Sequence, residues 1–274
     1  MNTTLKTLPA GSHSVSRPET DWGQRLDRQL NLIDNLLQEP RRPVYPDRMI
    51  SIVIPCFNEE KTILDVISNV LRLPLNLEVI VVDDCSQDET SRLLEMIDGL
   101  ERIQVVRKPR NEGKGAALRT GFEMAQGDFI VIQDADLEYN TAEITALLLP
   151  LVKGTADVVY GSRFVAGRPE GSSWLHTAGN RFLTMLSNKA NGLRLTDMET
   201  CYKAFSRWTL DSIDIREDRF GFEPEVTAKL SRLGARFCEM PISYQPRDWK
   251  EGKKIGVKDL VRALYCIVKY RFAN

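Results

Sequence analysis

The sequence predicts an α/β protein: a mainly parallel sheet flanked by helices, in one domain with an N-terminal helical extension. Two observations carry that expectation. From Met49 onward, short apolar runs alternate with helical segments, and strands joined through helices pair in parallel with right-handed crossovers. Three of the runs end abruptly in acids or other polar groups, and the carboxyl ends of strands are where open parallel sheets bind ligands. With 274 residues and 42% hydrophobic content, the chain makes one large domain or two small ones with a sizeable core.

The elements follow in order. Residues 1 to about 20 are rich in Ser, Thr, Pro and Gly, a composition that favours disorder. Trp22, Leu26, Leu30, Ile33, Leu36 and Leu37 then recur at helical spacing until Pro40, so residues 1–48 read as a tail plus an amphipathic helix that docks on the body. "MISIVIP" is a buried strand, "EEKTILDVISNVLRL" a helix and "LEVIVVDDCS" a second strand. "DETSRLLEMIDGL" is a helix with Asp88 placed to cap it. "IQVVRKP", "GKGAALRTGFEMAQG" and "DFIVIQDAD" give strand, helix and strand, and "ADVVYGSRF" a further strand. Beyond Gly167 the pattern is less regular, with helices over 174–192 and 222–233. The body is expected to span 49–256, and residues 257–274 to form a basic amphipathic helix. There Leu260, Val261, Leu264, Ile267 and Val268 make an apolar stripe, with Lys258, Arg262, Lys269 and Arg271 beside it. Packing on the body is the preferred reading of that helix, ahead of lying on an anionic membrane.

Composition excludes several classes. A net charge of −1 gives no general attraction to nucleic acid. Five scattered cysteines without CxxC spacing fit reduced thiols in a cytoplasmic protein. No signal-peptide core and no apolar run of about 20 residues is present, so the expectation is a soluble or peripheral chain. The two histidines, His13 and His176, offer neither a triad nor a metal cluster.

The chemistry concentrates at three strand ends: Pro55-Cys56-Phe57-Asn58-Glu59-Glu60, Asp83-Asp84-Cys85-Ser86, and Asp134-Ala135-Asp136-Leu137-Glu138. Carboxylates gathered in one crevice repel and need a cation, a donor or a raised pKa. Hard oxygens without His or Cys suit Mg²⁺ or Mn²⁺, ions that usually bridge phosphates. "RNEGKGAAL" sets Asn111, Gly113, Lys114 and Gly115 at a helix start, a place that favours anions. It is not a Walker A loop, and no GxGxxG follows the first strand.

In this order, "SIVIPCFNEE", "VIVVDDCSQDET", "RNEGKGAALRTGF" and "GDFIVIQDADLEY" resemble the successive motifs of family 2 glycosyltransferases with the GT-A (Rossmann-like) fold. "VVYGSRF" and "RDWKEGKKI" are similar to the branch that includes dolichyl-phosphate mannose synthases and bacterial polyprenyl-phosphate glycosyltransferases. The resemblance covers about residues 49–256. It implies that Pro55, Asn58, Glu59, Asp83 and Asp84 line the nucleotide pocket, with Lys114, Asp134 and Ala135 also at the nucleotide. It implies that Asp134 and Asp136 are the DxD pair, with Asp136 a direct metal ligand and Glu138, where many relatives have Gln, a third. Arg163, Arg181, Arg247 and Lys253 or Lys254 match the positions that grip acceptor and donor phosphates, and Arg163 and Arg247 join Asp136 as catalytic candidates.

The implied reaction is inverting, metal-dependent transfer of a hexose (mannose or glucose) from a GDP- or UDP-sugar to a polyprenyl or dolichyl phosphate. Such an acceptor is already an anion and needs cations, whereas a sugar hydroxyl needs a base. The candidate bases are Asp197 and Glu199, which can equally be loop acids paired with Lys203 or Arg194. Transfer to a hydroxyl is therefore the competing reading. A nucleotidyltransferase, separable by its inorganic diphosphate product, and a non-catalytic sugar-nucleotide-binding module are further alternatives. A chain ending at Asn274 would meet its lipid as a peripheral protein at the inner face of a membrane.

Overall fold

The computed structural model describes residues 19–40, 42–165, 167, 174–246 and 257–272. Helix α1 (Glu19–Gln38) precedes strand β1 (Met49–Cys56) and helix α2 (Ile63–Leu71). Strand β2 (Asn76–Asp83), helix α3 (Thr90–Ile97), strand β3 (Ile103–Arg107), helix α4 (Lys114–Met124) and strand β4 (Phe129–Ile132) follow. A short 3-10 turn, Thr141–Glu143, leads into α5 (Ile144–Val152) and β5 (Val158–Ser162). The second half contains α6 (Trp174–Asn191), β6 (Lys203–Ser206), α7 (Arg207–Asp211), α8 (Phe222–Arg232), β7 (Phe237–Pro241) and α9 (Val257–Phe272).

The sheet order is β3-β2-β1-β4-β6-β5-β7. β6 runs antiparallel to both neighbours, and every other pairing is parallel. From β1 the chain winds outward through β2 to β3, then returns to place β4 on the other side of β1. That reversal opens a crevice at the carboxyl ends of β1 and β4.

The strands are buried on both faces, as the continuous apolar runs require. Ile50, Ile52, Ile54, Val79 and Val81 face a cluster with α1, α2, α3 and α5, while Val53, Ile80 and Val82 face a second cluster with α4 and α8. Leu26, Leu30, Ile33, Leu36 and Leu37 of α1 belong to the first cluster. Trp22, counted with them on spacing, stands 53% exposed. The α2 helix is shorter than expected and begins at Ile63. Asp88 accepts from the Thr90 N–H and so serves the start of α3.

Two strands escaped the sequence reading. The sequence reading assigns neither β6 nor β7. Both are about as short as β4, but KAFS and FCEMP lack its unbroken apolar run FIVI, so neither stands out from its surroundings. In α9, Ala263, Cys266, Ile267 and Tyr270 are buried against α6 and α8. Val261 and Val268, which the sequence placed in the buried stripe, point outward instead, together with Tyr265 and Phe272.

Candidate functional site

β1, β2 and β4 are neighbours, and their ends bring together the three polar segments. Near the end of β1, the half-buried Pro55 precedes Asn58, whose φ is 56°. This left-handed turn is tolerated by Asn and is fixed by Asn58 N–H donating to Ser86 Oγ (2.9 Å) and Asn58 Oδ1 accepting from Gln87 N–H (2.8 Å). Glu59 N–H donates to Thr90 Oγ1 (2.8 Å). The Thr62 hydroxyl lies 3.0 Å from Glu59 Oε2 and 2.8 Å from the carbonyl of buried Ala135, so the first loop is laced to the DxD loop.

Asp83 and Asp84 are both buried and bonded within the protein. Asp83 accepts from Ser91 Oγ (2.5 Å) and Ser86 N–H (2.9 Å). Asp84 accepts from Glu112 N–H (2.9 Å) and Gly113 N–H (2.6 Å) and so fastens the glycine turn before α4. Protein backbone covers part of that turn. Ala116 N–H donates to Asp218 O, and a Cβ at Gly115 would sit 2.1 Å from Glu217 O. The missing side chains make room for the 217–218 backbone, not for a ligand.

What the turn does present is Lys114. Its ammonium lies 2.7 Å from Asp134 Oδ1 and 2.9 Å from Cys201 Sγ. Burial works against both charges, yet each outweighs it for the other: the Lys114 pKa rises and the Asp134 pKa falls. Asp134 is therefore occupied. Asp136 Oδ1 receives the Glu138 N–H (3.1 Å), and Glu138 Oε2 the Tyr244 hydroxyl (3.0 Å).

The expected metal set of Asp134, Asp136 and Glu138 is thus not assembled. Among the described residues, no three acidic, His or Cys side chains stand together to hold an ion. The reason is the Lys114 contact, which removes Asp134 from the set. Asp136 and Glu138 still offer hard oxygens on one loop. Mg²⁺ commonly takes one or two carboxylates and completes its shell with substrate phosphates and water, so the residues present fit a metal that arrives with a diphosphate.

On the other side of the crevice, Asp197 is fully buried and holds Arg163. Oδ2 accepts from Arg163 N–H (3.1 Å) and Nε (2.7 Å), and Oδ1 from Arg163 Nη2 (2.9 Å) and Asn180 Nδ2 (2.9 Å). With four donors on two oxygens, Asp197 is not placed as a base, which corrects that assignment. Nor is its partner Lys203 or Arg194. Lys203 turns its ammonium to the carbonyls of Met198 and Thr200.

Arg163 lies 5.2 Å from the Tyr244 ring centroid, and Arg163 and Arg181 each lie 5.8 Å from Phe164, so the two arginines flank one ring. Glu199 differs from Asp197. Its buried Oε1 has no hydrogen-bond partner, and burial, helped by the Glu223 carboxylate, pushes its pKa up to about 8. Arg247, Lys253 and Lys254 lie outside the described residues.

Several site residues were missed. Tyr139 stacks on Tyr202 (4.7 Å), meets Tyr244 (5.4 Å) and pairs with it across an isolated bridge. Glu239 of β7 accepts from Thr196 and Asp197 N–H and sets the 196–197 loop. Nothing local marks these residues, because β7 itself was unseen. An open groove of about 680 Å³ runs beside the DxD loop, but of the candidate residues only Glu138 lines it.

Known proteins share this chain's sequence pattern and fold. The chain is 29% identical over 228 residues to undecaprenyl-phosphate 4-deoxy-4-formamido-L-arabinose transferase of Aeromonas hydrophila, covering 81% of this chain and 67% of that one. It is 31% identical over 199 residues to glycosyltransferase AglJ of Haloferax volcanii, covering 72% and 63%. The chain therefore spans about two thirds of the length of these relatives. In structure it is similar to glucosyl-3-phosphoglycerate synthase of Mycobacterium tuberculosis, solved with Mn²⁺, uridine diphosphate and phosphoglyceric acid, with a TM-score of 0.63, 21% identity and coverage of 88% and 83%. At that identity the likeness is one of fold, the GT-A arrangement expected from the motifs. The strand ends, the Lys114–Asp134 contact and the Arg163–Asp197 pair all fall within residues 51–213, the segment matched by the model of glycosyl transferase family 2, and the chain belongs to that family.

Proposed function

We propose that the protein is an inverting, divalent-metal-dependent glycosyltransferase that moves a hexose, mannose or glucose, from a UDP- or GDP-sugar to a polyprenyl phosphate. The observation that supports this reading best is the Arg163–Asp197 pair. The acid nearest the acceptor side is engaged, while Arg163 and Arg181 offer guanidinium groups around Phe164. A site whose cations are fixed beside an engaged Asp197 suits a nucleophile that is already an anion. Relatives that act on undecaprenyl phosphate support the same acceptor class.

In this mechanism Asn58, Glu59 and the loops fastened by Asp83 and Asp84 frame the nucleotide, and Lys114 meets the diphosphate. Asp136 and Glu138 would hold Mg²⁺ or Mn²⁺, which when bound would supply Lewis-acid stabilisation of the leaving diphosphate. Arg163, kept rigid by Asp197, and Arg181 hold the acceptor phosphate, together with Arg247 and Lys253 or Lys254. An acceptor oxygen gives its electron pair to the anomeric carbon from the face opposite the diphosphate. The carbon–diphosphate bond breaks with its pair on the leaving group, so configuration inverts and no proton moves. Val261, Tyr265, Val268 and Phe272 on the outer side of α9 seat the enzyme on the membrane that carries the lipid. Among the described residues no helix is long and apolar enough to cross a membrane.

One observation favours a second reading. Glu199, with an unpartnered oxygen and a pKa near 8, has the properties of a base for a sugar hydroxyl. The test incubates the purified protein with UDP- and GDP-hexoses, Mn²⁺ and either a short polyprenyl phosphate or a neutral sugar, and follows nucleoside diphosphate release. Release with the lipid phosphate alone is expected. Efficient transfer to the neutral sugar that Glu199→Gln abolishes would replace the first reading with the second.

A further inference from the structure

Glu217 lies outside the acid clusters discussed so far, in the irregular segment before α8. Its side chain is 4% exposed, and every donor to its carboxylate shown by the structure sits on α9. Oε2 accepts from Arg262 Nε (3.0 Å) and Nη2 (2.6 Å), and Oε1 from Lys269 Nζ (3.2 Å) and Tyr270 OH (2.8 Å). Burial raises its pKa, but Arg262, Tyr270 and Lys269 outweigh burial and hold it below the usual carboxylate range.

The backbone of the same residue faces the donor side. Glu217 O accepts from Arg119 Nη1 of α4 (3.2 Å) and occupies the space that a side chain at Gly115 would need. Asp218 O accepts from Ala116 N–H (3.1 Å), and Asp218 Oδ1 from Arg119 Nη2 (2.5 Å). Glu225 of α8 fixes the segment from behind by accepting from the Glu217 N–H (2.7 Å). Two residues, 217 and 218, therefore join the C-terminal helix to the first turn of α4, whose first residue is Lys114.

We propose that Glu217 is a positioning residue: it ties α9 to the turn that presents Lys114, so that the seating of α9 sets the affinity of the site for the donor diphosphate. The proposal rests on the reading of Lys114 as a diphosphate contact. The physical basis is a continuous chain of hydrogen bonds with no side-chain slack on the α4 side, since a glycine meets a carbonyl there. An ion pair of this kind, once broken, leaves a buried charge, so the segment has a strong reason to follow α9.

The test uses the full chain with three substitutions. Glu217→Gln removes the charge at nearly constant shape. Arg262→Gln removes its main partner at a side chain that is 52% exposed and touches nothing in the donor turn. Leu30→Ala, in α1, controls for lost stability alone. UDP and GDP binding is measured with Mn²⁺ by calorimetry, and amide exchange over residues 110–118 by mass spectrometry.

Glu217→Gln and Arg262→Gln are expected to weaken nucleotide binding at least about fivefold and to speed exchange over 110–118, while Leu30→Ala, compared at equal loss of Tm, does neither. The proposal is overturned if exchange over 110–118 is unchanged in Arg262→Gln, or changes as much in Leu30→Ala. Should Glu217→Gln fail to fold, Arg262→Gln carries the decision. Should the wild type bind neither nucleotide, the donor reading fails, and the exchange measurement alone decides whether Glu217 fixes the turn.

Discussion

Lys114 neutralises Asp134, and this separates two carboxylates that stand two residues apart. On the proposed reading the metal contact is tested at Asp136, the second acid of the DxD pair. Asp136→Ala should lower turnover by at least about two decades, the scale set by losing several kcal/mol of Lewis-acid stabilisation. Its Tm should stay at the wild-type value, because the half-buried side chain carries no core packing. Near-wild-type turnover in saturating Mn²⁺ would remove Asp136 from the site. Asp197→Asn is expected to act differently. It strips a buried guanidinium of its charge partner and should cost about 3–5 kcal/mol in urea unfolding, so its loss of activity is no sign of a base. Glu199→Gln is the cleaner probe. The folded carboxyl, near pKa 8, sits above its unfolded value of about 4.3. Its contribution is therefore fully present below pH 4.3 and is lost as pH rises through 8. The mutant should come nearest the wild-type Tm at pH 4, exceed it increasingly up to pH 8 and level off above that; a constant difference would mean that Glu199 is not buried as a neutral acid. The sequence located these acids because strand ends gather carboxylates. It could not sort them, because Lys114, Cys201 and Arg163 reach them from 20, 67 and 34 residues away (114 to 134, 134 to 201, 163 to 197).

Elements show the same division between local and distant causes. β1, β2, β4 and the helices between them were legible, since each carries enough apolar residues to express its period. β6 and β7 were not: KAFS and FCEMP are about as short as the FIVI of β4 but break their apolar runs with polar residues or proline, and β6 is held in place by pairing with β4 and β5, which are distant in sequence. The N-terminus of α4 was legible as a glycine-dependent helix start, but the segment packed on its glycines comes from residues 217–218 and leaves no local signal. Gly115→Ala tests this directly. In an isolated helix the change would stabilise by about 1 kcal/mol. Here the new methyl meets the Glu217 carbonyl at 2.1 Å, and overpacking should reverse the sign to a loss of about 1–3 kcal/mol. A mutant with raised Tm would show that the 217–218 segment yields without cost. On α1, the buried Leu30 should cost about 2–5 kcal/mol when truncated to Ala, whereas Trp22→Ala, at an exposed position, should change stability little.

For the whole molecule, charge alone does not bring the protein to a membrane: 37 cations against 38 anions leave a net −1. Docking therefore has to be local. On α9 the inner residues Ala263, Cys266, Ile267 and Tyr270 are consumed by packing on α6 and α8. The outer residues Val261, Tyr265, Val268 and Phe272 fall at i, i+4, i+7 and i+11, all on one side and all exposed. Arg271 on the same helix is exposed, and the neighbouring α6 exposes Phe182 and Met185. A helix built this way carries two apolar faces, one for the protein and one that fits a bilayer interface. Such binding should combine an apolar part, insensitive to salt, with a smaller electrostatic part that salt screens. The full chain is expected to sediment with phosphatidylcholine vesicles, more strongly when they contain phosphatidylglycerol, and high salt should remove only the added portion. Val268→Glu is the decisive variant. Val268 is 64% exposed, so the Tm should not change. Vesicle binding should fall at least about tenfold, from roughly 1.5 kcal/mol of lost apolar burial together with an added negative charge. Equal sedimentation of the mutant and the wild type, or no sedimentation of either, would show that the outer face of α9 meets something other than lipid.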